Sequence, residues 1–179
     1  MKIQNQINFS KYKRFFAFGC SFTDYKWPMW PEILSHSVPN YYNFGCAGSD
    51  NRLIYLRILE ADCLYNFNEE DLIIVMWTNP WRDTFFDTEV NWRLQRVNDS
   101  QLKFKQLNFV FRDFCFFKSI DNFLENKKVD YDFLSISGYS YELFKNFHMF
   151  LHDQKELDEL SNLIKLFSST LKKFKIRPF

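Results

Sequence analysis

The chain is predicted to fold as an α/β protein, a three-layer α/β/α stack around a parallel sheet of about four to five strands. Three observations predict it. Short apolar runs alternate with longer amphipathic stretches along the chain, the order of strand, crossover helix, strand. The run Asp71-Leu-Ile-Ile-Val-Met-Trp77 is apolar after its first residue, as a strand covered on both faces must be. Two of the runs stop at glycine, Gly19 and Gly45, where a strand gives way to a loop.

Arg14 to Gly19 (RFFAFG) reads as the first strand and Cys20 to Trp30 as the loop after it. Pro31 to His36 reads as a short helix, with proline at the position where a missing N–H costs nothing. Tyr41 to Phe44 is the second strand. Ser49 or Asp50 can cap a helix from Asn51 to about Asn66, with Leu53, Leu56, Leu59 and Cys63 on one stripe. Asp71 to Thr78 is the third strand.

Asn79 to about Gln106 is polar and aromatic without a period and is expected to be a long surface excursion. Phe109 to Asn126 is predicted helical, its apolar face carrying Phe111, Phe114, Phe117, Ile120 and Leu124. Val129 to Ile136 gives a fourth strand. Glu156 to Lys173 gives a last amphipathic helix with Leu160, Leu163, Leu166, Phe167 and Leu171 on one side. With no internal repeat or linker, residues 1–179 are expected to form a single domain.

Composition narrows the function. The 23 basic and 22 acidic residues leave a net charge of +1, so there is no basic footprint and no nucleic-acid partner is expected. The start, MKIQNQINFSKYKR, lacks the apolar core of a signal peptide. No stretch reaches the roughly 18–20 apolar residues of a membrane span. A cytoplasmic location without a membrane partner is the expectation. Cys20, Cys46, Cys63 and Cys115 are widely spaced without a CxxC pair. They are read as reduced core thiols, neither metal ligands nor disulfides, and no cofactor is expected. Aromatic residues make up 21% of the chain, with 23 Phe against 4 Gly, which predicts a core of large flat side chains and some aromatic surface.

In parallel α/β sheets ligands bind at the carboxyl ends of the strands. That rule selects Gly19-Cys-Ser-Phe-Thr23, Asn43-Phe-Gly-Cys-Ala-Gly-Ser49 and Trp77-Thr-Asn-Pro80. Together they hold a hydroxyl, glycine-flanked amides and a carboxamide. Acyl transfer requires a nucleophile and donors aimed at the developing oxyanion, and this set contains both.

The same segments resemble the signature blocks of SGNH (GDSL-like) hydrolases. Phe18-Gly-Cys-Ser-Phe-Thr23 resembles the first block, Asn43-Phe-Gly-Cys-Ala-Gly48 the second and Trp77-Thr-Asn-Pro80 the third. The resemblance spans residues 14–82 and implies a flavodoxin-like hydrolase architecture. It implies Ser21 as nucleophile and first oxyanion donor, Gly48 as second donor through its N–H, and Asn79 as third through its side-chain amide. The combination of GCSFT with a later Trp-Thr is similar to SGNH-like proteins encoded by tailed phages.

Departures from the pattern are specific. Cys20 stands where the family commonly has Asp, Trp77 where it has Gly, and Pro80 where it has Asp. The fourth block, Asp-x-x-His before the last helix, is missing. His148 and His152 fall in the right topological region, but the residues three before them are Lys145 and Met149. His152 is carried as the candidate base, and His36 is read as a surface histidine. A serine hydrolase without its base loses on the order of 10⁶ in kcat, while its oxyanion hole still supplies roughly 10³–10⁴ over water.

Two functions follow as expectations. One is an esterase or deacetylase acting on small acyl esters, including O-acetyl groups on carbohydrate. The tryptophans Trp27, Trp30, Trp77, Trp81 and Trp92 near the strand ends favour a glycan, because aromatic faces stack on sugar rings. The alternative is an inactive SGNH-like ligand-binding or structural module. A third arrangement places the missing Asp-x-x-His beyond Phe179, in a longer relative.

Overall fold

The computed structural model describes residues 8–80, 82–87, 91–96 and 99–135, together with positions 158, 161, 162, 165 and 166, all five helical. A single turn at Phe9–Lys11 leads into β1 (Arg14–Phe18). It is followed by α1 (Trp30–Ser35), β2 (Asn40–Asn43), α2 (Asn51–Tyr65) and β3 (Asp71–Trp77). The order continues with β4 (Arg82–Asp87), β5 (Asn91–Arg96), α3 (Asp99–Asn126) and β6 (Asp130–Ser135).

Four of these strands form one sheet in the order β2-β1-β3-β6, and all three pairings are parallel. The α/β fold expected from the sequence is thus present, with four strands in its parallel sheet. Burial explains why the two central strands, β1 and β3, read as nearly unbroken apolar runs. Phe16, Phe18, Ile73, Val75 and Trp77 pack on one face against Ile54 and Ile58 of α2 and Phe114 and Phe117 of α3. Phe15, Ala17, Leu72 and Ile74 pack on the other with Trp30 and Leu34 of α1. Alternate residues of β1 and β3 therefore face different helical layers. Aromatic rings fill the space between layers: Phe16 stacks on Tyr42 with centroids 4.8 Å apart, and Trp77 meets Phe117 at 4.6 Å.

The chain crosses from β1 outward to β2, returns past β1 to β3, and continues on that side to β6. The direction reverses between β1 and β3. Such a switch opens a crevice at the carboxyl edge of the sheet, because the two neighbouring loops leave toward opposite faces.

Several local expectations are corrected. Within Asn79–Gln106, β4 and β5 form an antiparallel pair, with Arg82 opposite Arg96 and Asp87 opposite Asn91. Alternation there runs over too few positions to stand out: in β5 only Trp92 and Leu94 alternate with polar residues. Helix α3 starts at Asp99, ten residues before Phe109. Its buried line is Val110, Asp113, Phe114, Phe117, Ile120, Asp121 and Leu124, and Phe111 is exposed. In α2 the buried line is Leu53, Ile54, Ile58 and Ala61, while Leu56 and Cys63 face outward. That helix is apolar nearly all round, so two stripes compete and contact with the sheet selects the one with β-branched residues. Leu166 in the last stretch is also exposed.

Candidate functional site

The three loops at the carboxyl ends of β1, β2 and β3 are tied together by main-chain and side-chain bonds. After β1 the chain makes one tight turn, in which Thr23 N–H and Asp24 N–H both donate to Cys20 O, at 2.8 and 3.2 Å. Those bonds use the amides of Thr23 and Asp24 and leave the Ser21 amide outside the turn's own pairing. Gly19 is required here by close approach: a Cβ would collide with Thr23 Oγ1 and lie 3.1 Å from Met76 O. Ser21 itself is half-buried at the head of the turn.

The loop after β2 packs directly on that turn. Cys46 N–H donates to Gly19 O at 3.1 Å, and Phe44 N–H to Ala17 O at 2.8 Å. A Cβ on Gly45 would stand 2.8 Å from Asp24 Cβ and 2.9 Å from Asp24 N. Asn43 locks the junction, its amide donating to Thr23 O and to Glu32 Oε1, both at 3.0 Å, while its Oδ1 accepts from Gly45 N–H at 2.8 Å. Ser49 N–H closes on Cys46 O at 3.1 Å, and Gly48 holds the third position of that turn at φ 90°. A type II turn needs a positive φ at that position, which glycine adopts without a Cβ penalty. The turn's closing bond does not use the Gly48 N–H.

Asp50 then caps α2, its Oδ1 accepting from Leu53 N–H at 2.8 Å. Asn51, fully buried, joins this loop to the end of β3. Its Oδ1 accepts from Thr78 N–H at 2.8 Å and its Nδ2 donates to Thr78 O at 2.9 Å. The same Nδ2 also donates to Asp113 Oδ2 at 2.6 Å. Arg112 Nε donates to Asp113 Oδ1 at 3.0 Å, and Arg82 Nη1 reaches Ser49 O at 3.5 Å. Asn79, the next residue along, is half-buried.

Of the residues singled out by sequence, Ser21, Gly48 and Asn79 sit on three loops that these bonds join at one edge of the sheet. His152 lies outside the described residues, as does His148. His36 is the exposed C-cap of α1, a few residues before β2 begins. It therefore sits toward the amino edge of the sheet, opposite Ser21. The tryptophans divide. Trp77 is fully buried core, packed on Phe117 and Phe133. Trp30 packs on Phe15 at 6.3 Å. Trp27 is 60% exposed and meets Tyr25 edge-on at 4.6 Å. The side chains of Trp81 and Trp92 lie outside the description. Cys20 is buried, Cys46 and Cys115 are half-buried and Cys63 is exposed, so the expectation of four core thiols fails at Cys63. Among the described residues no group of acidic, histidine and cysteine side chains could hold a metal ion, and no helix is long and apolar enough to cross a membrane.

Sequence reasoning missed the polar floor of the site: Asn51, Asp113, Arg112 and Glu32. A signal for Asp113 exists, since it falls on the apolar stripe of α3, where a carboxylate must have buried partners. A signal for Glu32 also exists, as an acid in the first turn of α1. Burial works against its charge. The Met29 N–H at 2.8 Å, the Tyr41 hydroxyl at 2.9 Å and the Asn43 amide outweigh that and hold its carboxyl below the usual range. Burial, with Glu32 as acceptor, pushes the Tyr41 phenol far up.

The fold and site define a parallel α/β protein whose β1, β2 and β3 loops are bonded together at the carboxyl edge of its sheet. Compared with known proteins, no family model and no curated sequence matches the chain.

Proposed function

We propose that this protein is an SGNH-type serine hydrolase cleaving small acyl esters, with O-acetyl groups on carbohydrate as the substrate class. The observation that supports it is the joining of the Ser21, Gly48 and Asn79 loops at the switch point, through Cys46 N–H to Gly19 O and through the Asn51 bonds to Thr78. Acyl transfer needs its nucleophile and its oxyanion donors on neighbouring rigid loops. In this reading Ser21 Oγ attacks the ester carbonyl and its proton passes to His152. The N–H groups of Ser21 and Gly48 and the Asn79 amide receive the oxyanion. The alcohol leaves with the proton from the base, and water then releases the acid from the acyl-enzyme. The exposed Trp27–Tyr25 pair, a few residues after Ser21, offers an aromatic face to a sugar ring.

A second reading, an SGNH-like binding or structural module without turnover, is supported by the missing Asp-x-x-His block and by the 21% aromatic content of the chain.

Hydrolysis of p-nitrophenyl acetate and of an acetylated xylan, by wild type and Ser21→Ala side by side, separates the two. Release of acetate that falls to the buffer rate in Ser21→Ala supports the hydrolase. Equal rates for both proteins refute it and leave the binding module.

A further inference from the structure

The end of β3 poses a backbone problem. The strand is paired with β6 as far as Trp77 opposite Ser135, so Thr78 lies past the ladder. Its N–H and C=O are nevertheless buried with the residue and need partners. Asn51 is that partner for both groups, at 2.8 and 2.9 Å. A carboxamide carries its acceptor and its donor on separate atoms, so it can accept from the N–H and donate to the C=O at once. Asn51 thus pairs with both Thr78 groups as a strand neighbour would. It is held in turn by Asp113, which Arg112 grips from the neighbouring position on α3.

Two consequences meet in this residue. Asn51 is the first residue of α2, and the turn that carries Gly48 runs straight into it. Thr78 immediately precedes Asn79. One side chain therefore sets the separation between the loop of the second donor and the loop of the third. We infer that Asn51, braced by Asp113, is a positioning residue that fixes the Gly48 and Asn79 donors relative to one another; this rests on the hydrolase reading above. A displaced donor loses much of its worth, because electrostatic stabilisation depends on dipoles already in place when charge develops.

The test combines two readouts in the full-length protein. Amide hydrogen exchange is followed at Thr78, and kcat and KM for p-nitrophenyl acetate are measured for wild type, Asn51→Ala, Asn79→Ala and the double variant. Asn51→Ser replaces Asn51→Ala if the latter fails to fold; its short, uncharged hydroxyl cannot span both Thr78 groups as the carboxamide does. The expected result is faster exchange at Thr78, a kcat lowered by about tenfold to 10²-fold, and KM within about twofold. In the Asn79→Ala background the Asn51 substitution should then cost less than it does in wild type, since one of the two donors it positions is gone. Full additivity of the two substitutions overturns the inference while leaving the hydrolase reading standing. Turnover that does not depend on Ser21 overturns both.

Discussion

Arg14 and Asp71, directly opposite each other in the β1–β3 pairing, form a two-point ion pair, Nε to Oδ1 at 2.6 Å and Nη2 to Oδ2 at 2.7 Å. The same guanidinium donates to Tyr65 O at 3.0 Å and Asn66 O at 3.4 Å, so it also satisfies carbonyls at the end of α2. Asp71 is fully buried. Removing Arg14 strands a buried carboxylate, which costs about 3–5 kcal/mol. Arg14→Ala should therefore lower stability by about that amount in urea titration. Arg14→Lys should recover only part of the loss, because an ammonium cannot span both oxygens. An Arg14→Ala protein as stable as wild type would show that the pair contributes nothing.

This pair also marks where the sequence was legible. β1 and β3 announced themselves as nearly continuous apolar runs because both faces of the sheet are covered there, whereas the edge strand β6 alternates Tyr131 and Phe133 with Asp130 and Asp132. The loops that carry Ser21, Gly48 and Asn79 were legible because strand ends in a parallel sheet select their own loops. The supports of the site were not. Asn51 and Asp113 lie 62 residues apart in the chain, and nothing local tells an asparagine at a helix start that a carboxylate on a later helix will meet it. The faces of α2 were misread for a related reason: with Leu, Ile and Tyr all round the helix, only the tertiary contact decides which stripe is buried.

Gly45 is expected to tolerate no side chain. Its added Cβ would stand 2.9 Å from the Asp24 backbone nitrogen, and a main-chain atom in the Ser21 turn cannot swing aside as a side-chain tip can. Gly45→Ala should cost about 1–3 kcal/mol and should also move the turn that carries Ser21. Calorimetry and ester hydrolysis on the same preparation check this. Unchanged Tm with unchanged kcat would mean that the two loops are not in contact.

The acid side of the stability profile should carry the signature of Glu32. Its folded carboxyl titrates below the ordinary glutamate value: burial alone would raise it, and the bonds from Met29 N–H, Tyr41 OH and the Asn43 amide outweigh that. A depressed folded value means the native state favours the carboxylate. Its contribution is then fully present above the unfolded value of about 4.3 and disappears as pH falls through the lower folded one. Glu32→Gln should cost about 1–2 kcal/mol at neutral pH, and the gap between the two proteins should close below about pH 4. A gap that stays constant from pH 7 to pH 3 would assign the loss to packing and not to charge.

Trp27 should discriminate between substrates and leave folding untouched. At 60% exposure it contributes little to the core, and its edge-on contact with Tyr25 is with a residue that is itself exposed. A sugar ring offers a face of C–H groups to an indole, whereas in the proposed hydrolase the acetyl group of p-nitrophenyl acetate need only reach Ser21. Trp27→Ala should therefore raise KM for an acetylated oligosaccharide by roughly fivefold, the equivalent of about 1 kcal/mol. Its KM for the aryl acetate and its melting temperature should stay at wild-type values. Equal effects on both substrates would place Trp27 in the general architecture of the crevice, and no effect on either would remove the aromatic pair from sugar recognition altogether.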